Sequence, residues 1–387
     1  MRVLVACSLG GAGHLSPLLP FLAASKRRED DTVVVGPPAL REMVEAAGHL
    51  FWAGGEPPED QVAPIRERLL DAQADKAAVL ANRELFGRLA TGAMLPGMER
   101  AVAEWRPQLV VREPCEYASA VVAGREGLPM VGVAISLAEA EAGSIHVAAP
   151  ALEAHRLGLV SELLASPYLT RFPESLDPSP FPRTVRFSEP APGGPLPDWW
   201  HGSPAPLVYM SFGTVLGSMS IALDVYRVAL DAAAELPARV LLSVGRRVDR
   251  SLLGPVPSDV HVEAWVDQAC IVDHAAVVVC HGGSGTAFGA LAGGVPVVVV
   301  PLFADQFENG RRIADAGAGL VVETRRRGAN GTDGPHGGED VERIRDAVNA
   351  VLTRDSYQQH ARRLGDEMAA TPTVDDVLDQ LLHSRPG

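Results

Sequence analysis

The sequence predicts an α/β protein built from two doubly wound domains facing each other across a cleft. Three observations carry this. The chain has 387 residues, long for one domain and enough for each of two to bury its own core. Short aliphatic runs alternate with helical patterns in both halves, and these runs are continuous in hydrophobicity, as expected for parallel strands covered by helices on both faces. Between the halves, "SEPAPGGPLPDWWHGSPAP", Ser188 to Pro206, is too rich in proline and glycine to continue either sheet.

In chain order the first domain, residues 1–187, reads "RVLVAC", "TVVVG", "QLVV" and "PMVGVAI" as strands. Pro57 to Arg106 is helical by pattern and charge, an insertion that interrupts the strand-helix repeat and is placed to shape a pocket. After the linker, 188–206, the second domain, 207–370, reads "LVYMSF", "RVLLSV", "DVHVEAW", "AVVVC", "VPVVVVP" and "AGLVVE" as strands. The last segment, 371–387, is expected to be a helix returning to the first domain. Thr324 to Asp340 reads as a polar, glycine-rich, mobile loop; its Asn330-Gly-Thr triplet fits a glycosylation pattern, which carries no weight in a cytoplasmic protein. In such sheets ligands bind in loops at the carboxyl ends of the strands.

Bulk properties exclude several classes. No apolar stretch approaches the ~20 residues that span a bilayer. The start "MRVLVACSLG" enters a strand pattern directly, with no basic segment and apolar helix before it, so a cytoplasmic protein is expected. Cys7, Cys115, Cys270 and Cys280 are far apart in apolar contexts and read as reduced core thiols. A net charge of -14 disfavours a nucleic-acid binder.

The strongest chemistry lies in "VVVCHGGSGTAFGALAGGVPVVVVPLFADQFENGRRI". A strand ends at Cys280, and His281 to Thr286 open the first turn of a helix. Glycines let the backbone approach an anion, helix-start N–H groups point at it, and Ser284 and Thr286 add hydroxyls. There is no GxxxxGK[ST], which excludes a P-loop nucleotidase here. Upstream, Trp265 at a strand end with Gln268 three residues on offers an aromatic face and an amide. Downstream, Asp305 and Gln306 stand at a helix start, an acid-amide pair able to take sugar hydroxyls. Together these pieces would hold a nucleotide-sugar. In the first domain "CSLGGAGHLSPLLP" places His14 after Gly10, Gly11 and Gly13 in the first strand-to-helix turn. By itself it could be a phosphate-loop residue, a structural residue or a base.

Over nearly its whole length, including the "SFGT" turn at Ser211 to Thr214, the chain resembles the UDP-glycosyltransferase family, in particular the bacterial enzymes that decorate antibiotics and other secondary metabolites. The resemblance implies the GT-B fold, two Rossmann-like domains with donor held mainly by the second and acceptor by the first. Carried over by position, Trp265 would stack the base, and Val266 and Gln268 would contact base or ribose. Gly213 and Thr214 on one side, with His281, Gly283, Ser284, Gly285 and Thr286 on the other, would hold the diphosphate, and Asp305 and Gln306 the sugar. His14 would be the general base for inverting transfer, supported by Glu113, with Glu116 as competitor. Two departures stand out: Asp267 replaces the proline usual after the Trp-Val pair, and an acid there could cap a helix beginning near Ala269; no tryptophan follows the His281 turn, which favours the bacterial branch and its deoxythymidine diphosphate sugars.

Phe86, Leu89, Met94 and His146 are the acceptor-lining candidates, although each taken alone reads better as an ordinary helix residue. No Asp-x-Asp and no cluster with metal-ligand spacing occurs, so neither metal nor cofactor is expected, only a nucleoside diphosphate sugar as co-substrate. The expected partners are that donor and a small natural-product acceptor, with no nucleic acid and no stable membrane insertion; a second copy of the chain is a further candidate. The alternatives are a nucleotide-sugar 2-epimerase, which would not explain the His14 turn, and a non-catalytic nucleotide-sugar-binding protein.

Overall fold

The computed structural model describes residues 1–387 except 10, 71, 73, 190–192, 195, 197–203, 215, 220, 325–336 and 384–387. By contacts the chain divides into two compact units, Met1–Glu189 with Thr371–Gly387, and Pro190–Ala370.

The first unit holds a seven-stranded parallel sheet in the order β3-β2-β1-β4-β5-β6-β7. Its strands are β1 (Arg2–Ala6), β2 (Asp31–Gly36), β3 (Leu50–Ala53), β4 (Leu109–Arg112), β5 (Met130–Val133), β6 (Tyr168–Thr170) and β7 (Thr184–Arg186). The second holds six parallel strands in the order β10-β9-β8-β11-β12-β13, namely β8 (Leu207–Ser211), β9 (Arg239–Ser243), β10 (Val260–Glu263), β11 (Ala275–Cys280), β12 (Val297–Val299) and β13 (Gly319–Val321). Both are doubly wound sheets. In each, the first strand lies between the second and fourth strands of its own sheet, and the loops leaving it and the fourth strand emerge side by side.

The aliphatic runs form strands because helices cover both faces. Val3, Val5, Val34, Val111 and Val133 pack with Leu15, Leu18, Phe21 and Leu22 of the helical segment that follows β1. Val208, Met210, Val240, Leu242, Val277 and Val279 pack against Val225, Tyr226 and Ala229 of the helix Ala222–Ala233. The insertion between β3 and β4 is mostly helical: Glu59–Leu70, Ala74–Ala78, a π-helical stretch Val79–Ala90, and Thr91–Trp105, which ends at left-handed Arg106 (φ 51°).

Two boundaries differ from the sequence reading. Ser188, the first predicted linker residue, still belongs to the first unit: its N–H donates to Pro372 O (2.8 Å), and it forms a parallel bridge with Thr373. Much of the remaining linker, and Asn330, lie outside the described residues. The predicted loop to Asp340 is already helical from Gly337, because Glu339 and Asp340 form an acidic first turn suited to the helix dipole. No helix among the described residues is long and apolar enough to cross a membrane.

The final helix, Val374–His383, buries Val374, Val377 and Leu378 in the core of the first unit and pairs Asp375 with Arg27 and Asp379 with Arg28. Exposed ion pairs contribute little, so apolar burial holds this helix. Leu378→Ala is expected to destabilise the first unit by about 2–4 kcal/mol, read as a lower urea midpoint by tryptophan-independent circular dichroism, whereas Asp375→Ala should shift it by less than about 1 kcal/mol.

Candidate active site

Pairing of β1 with β4 brings the two polar loops of the first unit together (Ala6 opposite Arg112). Gly11 takes a left-handed conformation (φ 66°), and its carbonyl accepts the N–H groups of His14 (3.2 Å) and Leu15 (3.1 Å), which starts the helical turn carrying His14. His14 Nδ1 lies 3.2 Å from Glu113 Oε2, with the imidazole 17% exposed and the carboxylate fully buried. Glu113 is held from both sides: Ser8 N–H donates to Oε1 (2.9 Å) and Cys115 N–H to Oε2 (2.7 Å). Charge-assisted bonds of this kind compensate a buried carboxylate for its lost water.

Glu116 is committed elsewhere. Its carboxylate accepts from Ser119 N–H (3.1 Å) and the Ser119 hydroxyl. Burial pushes this carboxyl up, opposed by the Arg112 guanidinium and the Ser119 bonds. Arg112 in turn donates from Nε to Glu116 O (2.6 Å) and from a terminal nitrogen to Pro114 O (2.7 Å), and lies 5.4 Å from the Tyr117 ring centre. That strap fixes the loop on which Glu113 sits.

Of the four acceptor candidates the structure brings only Phe86 to the histidine. Its ring stacks on His14 at 5.6 Å and 26°. Phe86 belongs to the π-helical stretch, a winding often found at functional sites. Leu89 is instead buried with Ile65 and Leu80, Met94 is buried against Gly54, and His146 stands exposed on the helix Ala138–His155. Sequence reasoning missed what shapes the loop after β5. Buried Glu141 accepts from Ile135 N–H (2.8 Å), Ser136 N–H (2.6 Å) and the Tyr168 hydroxyl (2.7 Å), and buried Asp177 accepts from Ala138 N–H (3.1 Å). An acid inside an apolar helix is the signal that could have found Glu141.

In the second unit, pairing of β8 with β11 sets Ser211 opposite Cys280. His281 follows directly, and its ring fills the space beside Gly213 and Gly283. A Cβ at Gly213 would stand 2.8–2.9 Å from the ring, and one at Gly283 would collide with it too. Gly213 and Gly282 are also left-handed (φ 78° and 87°). These glycines are required by the histidine and the turn. The helix Ser284–Ala292 starts here with no side-chain cap at Gly283, and a helix start is where the backbone dipole favours an anion. Gly285 and Thr214 are exposed and Ser284 half-buried, whereas Thr286 is buried.

Trp265 is 57% exposed, not a core residue, and carries the Arg246 guanidinium 5.2 Å from its ring centre. Arg246 had no sequence signal beyond a basic pair after β9. Val266 is half-buried. Asp267 caps the helix Gln268–Val272 by accepting Ala269 N–H (3.1 Å). Gln268 leans over the helix Ser284–Ala292, its amide 3.5 and 3.4 Å from the carbonyls of Gly285 and Thr286.

Asp305 follows Ala304, a non-glycine residue in the left-handed region (φ 57°), and lies half-buried with Asn309 Nδ2 3.2 Å from Oδ2. Asn309 also donates to Gly282 O (2.9 Å), tying the two loops together. Gln306 is 3% exposed, and its Oε1 accepts from Leu302 N–H (2.8 Å) and Phe303 N–H (3.0 Å). That oxygen shapes the loop.

A doubly wound pair with a histidine-carboxylate couple at one switch point and a glycine-rich helix start at the other fits a class, the two-domain transferases of nucleotide-linked groups. The model of the erythromycin biosynthesis protein CIII-like C-terminal domain matches residues 227–383. The chain is 32% identical to L-demethylnoviosyl transferase of Streptomyces niveus, over 98% of this chain and 97% of that protein. It is 30% identical to elloramycin glycosyltransferase ElmGT of Streptomyces olivaceus, over 98% and 97%. Spinosyn rhamnosyltransferase SpnG superposes with a TM-score of 0.80 at 25% identity, covering 99% of this chain and 100% of that one. The chain belongs to the GT-B glycosyltransferases of bacterial antibiotic pathways.

Burial lowers the His281 pKa to about 4, against the opposing pull of Asp305 and the Ser211 backbone, so the ring is neutral at pH 7. The unfolded chain binds a proton here near pH 6.5. Between pH 4 and 6.5 the unfolded state therefore holds more protons, and stability rises with pH through that window. The contribution is on the order of 3 kcal/mol at most. The melting temperature of the wild type should fall more steeply from pH 7 to 4.5 than that of His281→Asn; parallel curves would contradict a buried neutral imidazole.

Proposed function

We propose that the protein is an inverting, metal-independent glycosyltransferase that moves a sugar from a thymidine or uridine diphosphate to a hydroxyl of a small natural-product acceptor, with His14 as general base and Glu113 as its partner. The observation that carries this is the His14 Nδ1 to Glu113 Oε2 contact of 3.2 Å, with the carboxylate fixed by two backbone N–H groups. With its proton on Nδ1 facing Glu113, the ring offers the Nε2 lone pair to an acceptor hydroxyl. A hydroxyl is a poor nucleophile at neutral pH, and removing its proton during attack lowers the barrier. The acceptor oxygen bonds to the anomeric carbon as the bond to the diphosphate breaks on the opposite face, which inverts that centre. Glu113 then balances the charge on the imidazolium.

On the donor side, Trp265 is proposed to stack the base, with Arg246 holding the other ring face. Val266 and Gln268 would border the ribose. Gly213, Thr214, His281, Gly283, Ser284 and Gly285 would surround the diphosphate, and the helix start would stabilise the charge on the leaving group. Neutral His281 would serve as a hydrogen-bond donor. Asp305 would take sugar hydroxyls. SpnG, similar in fold and 26% identical, has been solved complexed with thymidine diphosphate, which supports a donor of that kind. On the acceptor side, Phe86 is proposed to border the reacting hydroxyl beside His14.

His14→Ala should lower kcat by ~10²- to 10⁴-fold while binding of the nucleoside diphosphate, measured by calorimetry, stays near wild type. Turnover near the wild-type rate would remove His14 from the mechanism. A separate expectation concerns Asp305→Ala, which should weaken the intact sugar nucleotide far more than the free nucleoside diphosphate. Equal losses for the two ligands would reject the sugar contact.

A further inference from the structure

The sequence groups no metal ligands by spacing, yet the fold does. His14, Glu113 and Cys115 each place one donor atom within 4.8 Å of the other two. We propose that these three side chains form a binding site for a thiophilic divalent cation, zinc by its donor set, and that occupancy switches off the histidine. The switching half rests on the assignment of His14 as the base; the binding half does not.

The geometry is close to what such an ion needs. Two ligands on a tetrahedral zinc with bonds of about 2.0–2.1 Å stand roughly 3.3 Å apart. His14 Nδ1 and Glu113 Oε2 are 3.2 Å apart, which matches that separation. Cys115 is half-buried and in no disulfide, and its short side chain brings Sγ within 4.8 Å of the other two donor atoms, from where rotation toward the ion completes a third bond of about 2.3 Å. A fourth position is left for water, since the imidazole is 17% exposed and the site is not sealed. The amides of Ser8 and Cys115 already orient Glu113, the outer support that metal-binding carboxylates require.

Charge and hardness select the ion. A neutral imidazole, a carboxylate and a thiolate carry two negative charges, which a divalent cation neutralises. The nearby Arg112 is bonded to the Pro114 and Glu116 carbonyls and faces the Glu116 carboxylate, which balances it. A nitrogen, oxygen and sulfur set favours zinc over magnesium or calcium, which take oxygen ligands.

Proton bookkeeping gives the consequence. Binding releases the Cys115 thiol proton to solvent. The ion takes the Nδ1 lone pair, so the one proton left on the neutral ring sits on Nε2. An N–H at that position cannot accept the proton of a hydroxyl. The ion enters on the side of the ring turned to Glu113 and so opposes the very arrangement that the transfer reaction uses.

The test uses the full chain after chelator treatment. Titration with zinc by calorimetry should show one equivalent bound, magnesium should give no heat, and cobalt should give a thiolate-to-metal charge-transfer band. Cys115→Ala should abolish that band and weaken zinc by ~10- to 100-fold, while Cys270→Ala, which removes the other half-buried thiol, should change neither. Zinc should also inhibit glycosyl transfer reversibly by chelator, with the half-inhibiting concentration at least tenfold higher in Cys115→Ala, each protein being referred to its own metal-free rate. Equal zinc affinity in wild type and Cys115→Ala, or a cobalt spectrum without the thiolate band, would overturn the site. If zinc binds with the thiolate band but leaves transfer untouched, the switch is overturned; the His14→Ala turnover then decides separately whether the base assignment stands.

Discussion

Parallel pairing of each sheet's first strand with its fourth is the constraint on which the rest depends. β1 beside β4 and β8 beside β11 mean that the helices leaving these strands go to opposite faces, and the loops between them have room for polar side chains. The two histidines of the candidate site and their immediate partners stand at those two places. His14 and Glu113 are separated by 99 positions in the chain, but they leave neighbouring strands only a few residues beyond the last ladder pair. Gly213 and His281 stand in the same relation in the second unit.

That placement puts charge where water is scarce, and the loops are built to compensate. Glu113 and Glu116 are both buried, three residues apart, and the structure separates them by giving each its own donors. Ser8 and Cys115 serve Glu113, leaving one of its oxygens beside the histidine. Ser119 and Arg112 serve Glu116. Removing Arg112 would leave the Pro114 and Glu116 carbonyls without that guanidinium and loosen the loop that holds Glu113. The residue closing β4 is thus as much a part of the site as the residues that face it, although it touches no substrate.

The fold was legible where burial is two-sided. The six central aliphatic runs of the second unit and four of the first read directly as strands, because helix-covered strands need no polar alternation. β3, β6 and β7 were not read: "LFWA", "YLT" and "TVR" lack the continuous aliphatic run that marks even the three-residue β12 and β13, and only the neighbouring strand makes them strands. The site was legible by residue type and spacing but not by orientation. A helix start, an exposed tryptophan and a turn histidine leave a linear signal. That Gln306 turns its oxygen onto its own loop, that Glu116 caps a helix, and that Leu89 and Met94 face cores depend on packing that no local pattern records. Asp267 is the counterexample, since a capping acid is a local event and the sequence contains all of it.

The two histidines show how one side chain acquires opposite properties. His281 is wedged against Gly213 and Gly283, and desolvation keeps it uncharged despite Asp305 nearby. A neutral ring there can donate a hydrogen bond to an anion without losing a proton to it. His14 is partly open to solvent and has a fixed carboxylate at its Nδ1. A ring that takes up a proton there has a countercharge already in place. Exchanging the environments would disable both, since a charged His281 would be stranded in an apolar wedge and a His14 without Glu113 would have neither a set tautomer nor a counterion. The glycines around the first and the acid behind the second are therefore what distinguish these two loops, which the sequence writes with nearly the same letters.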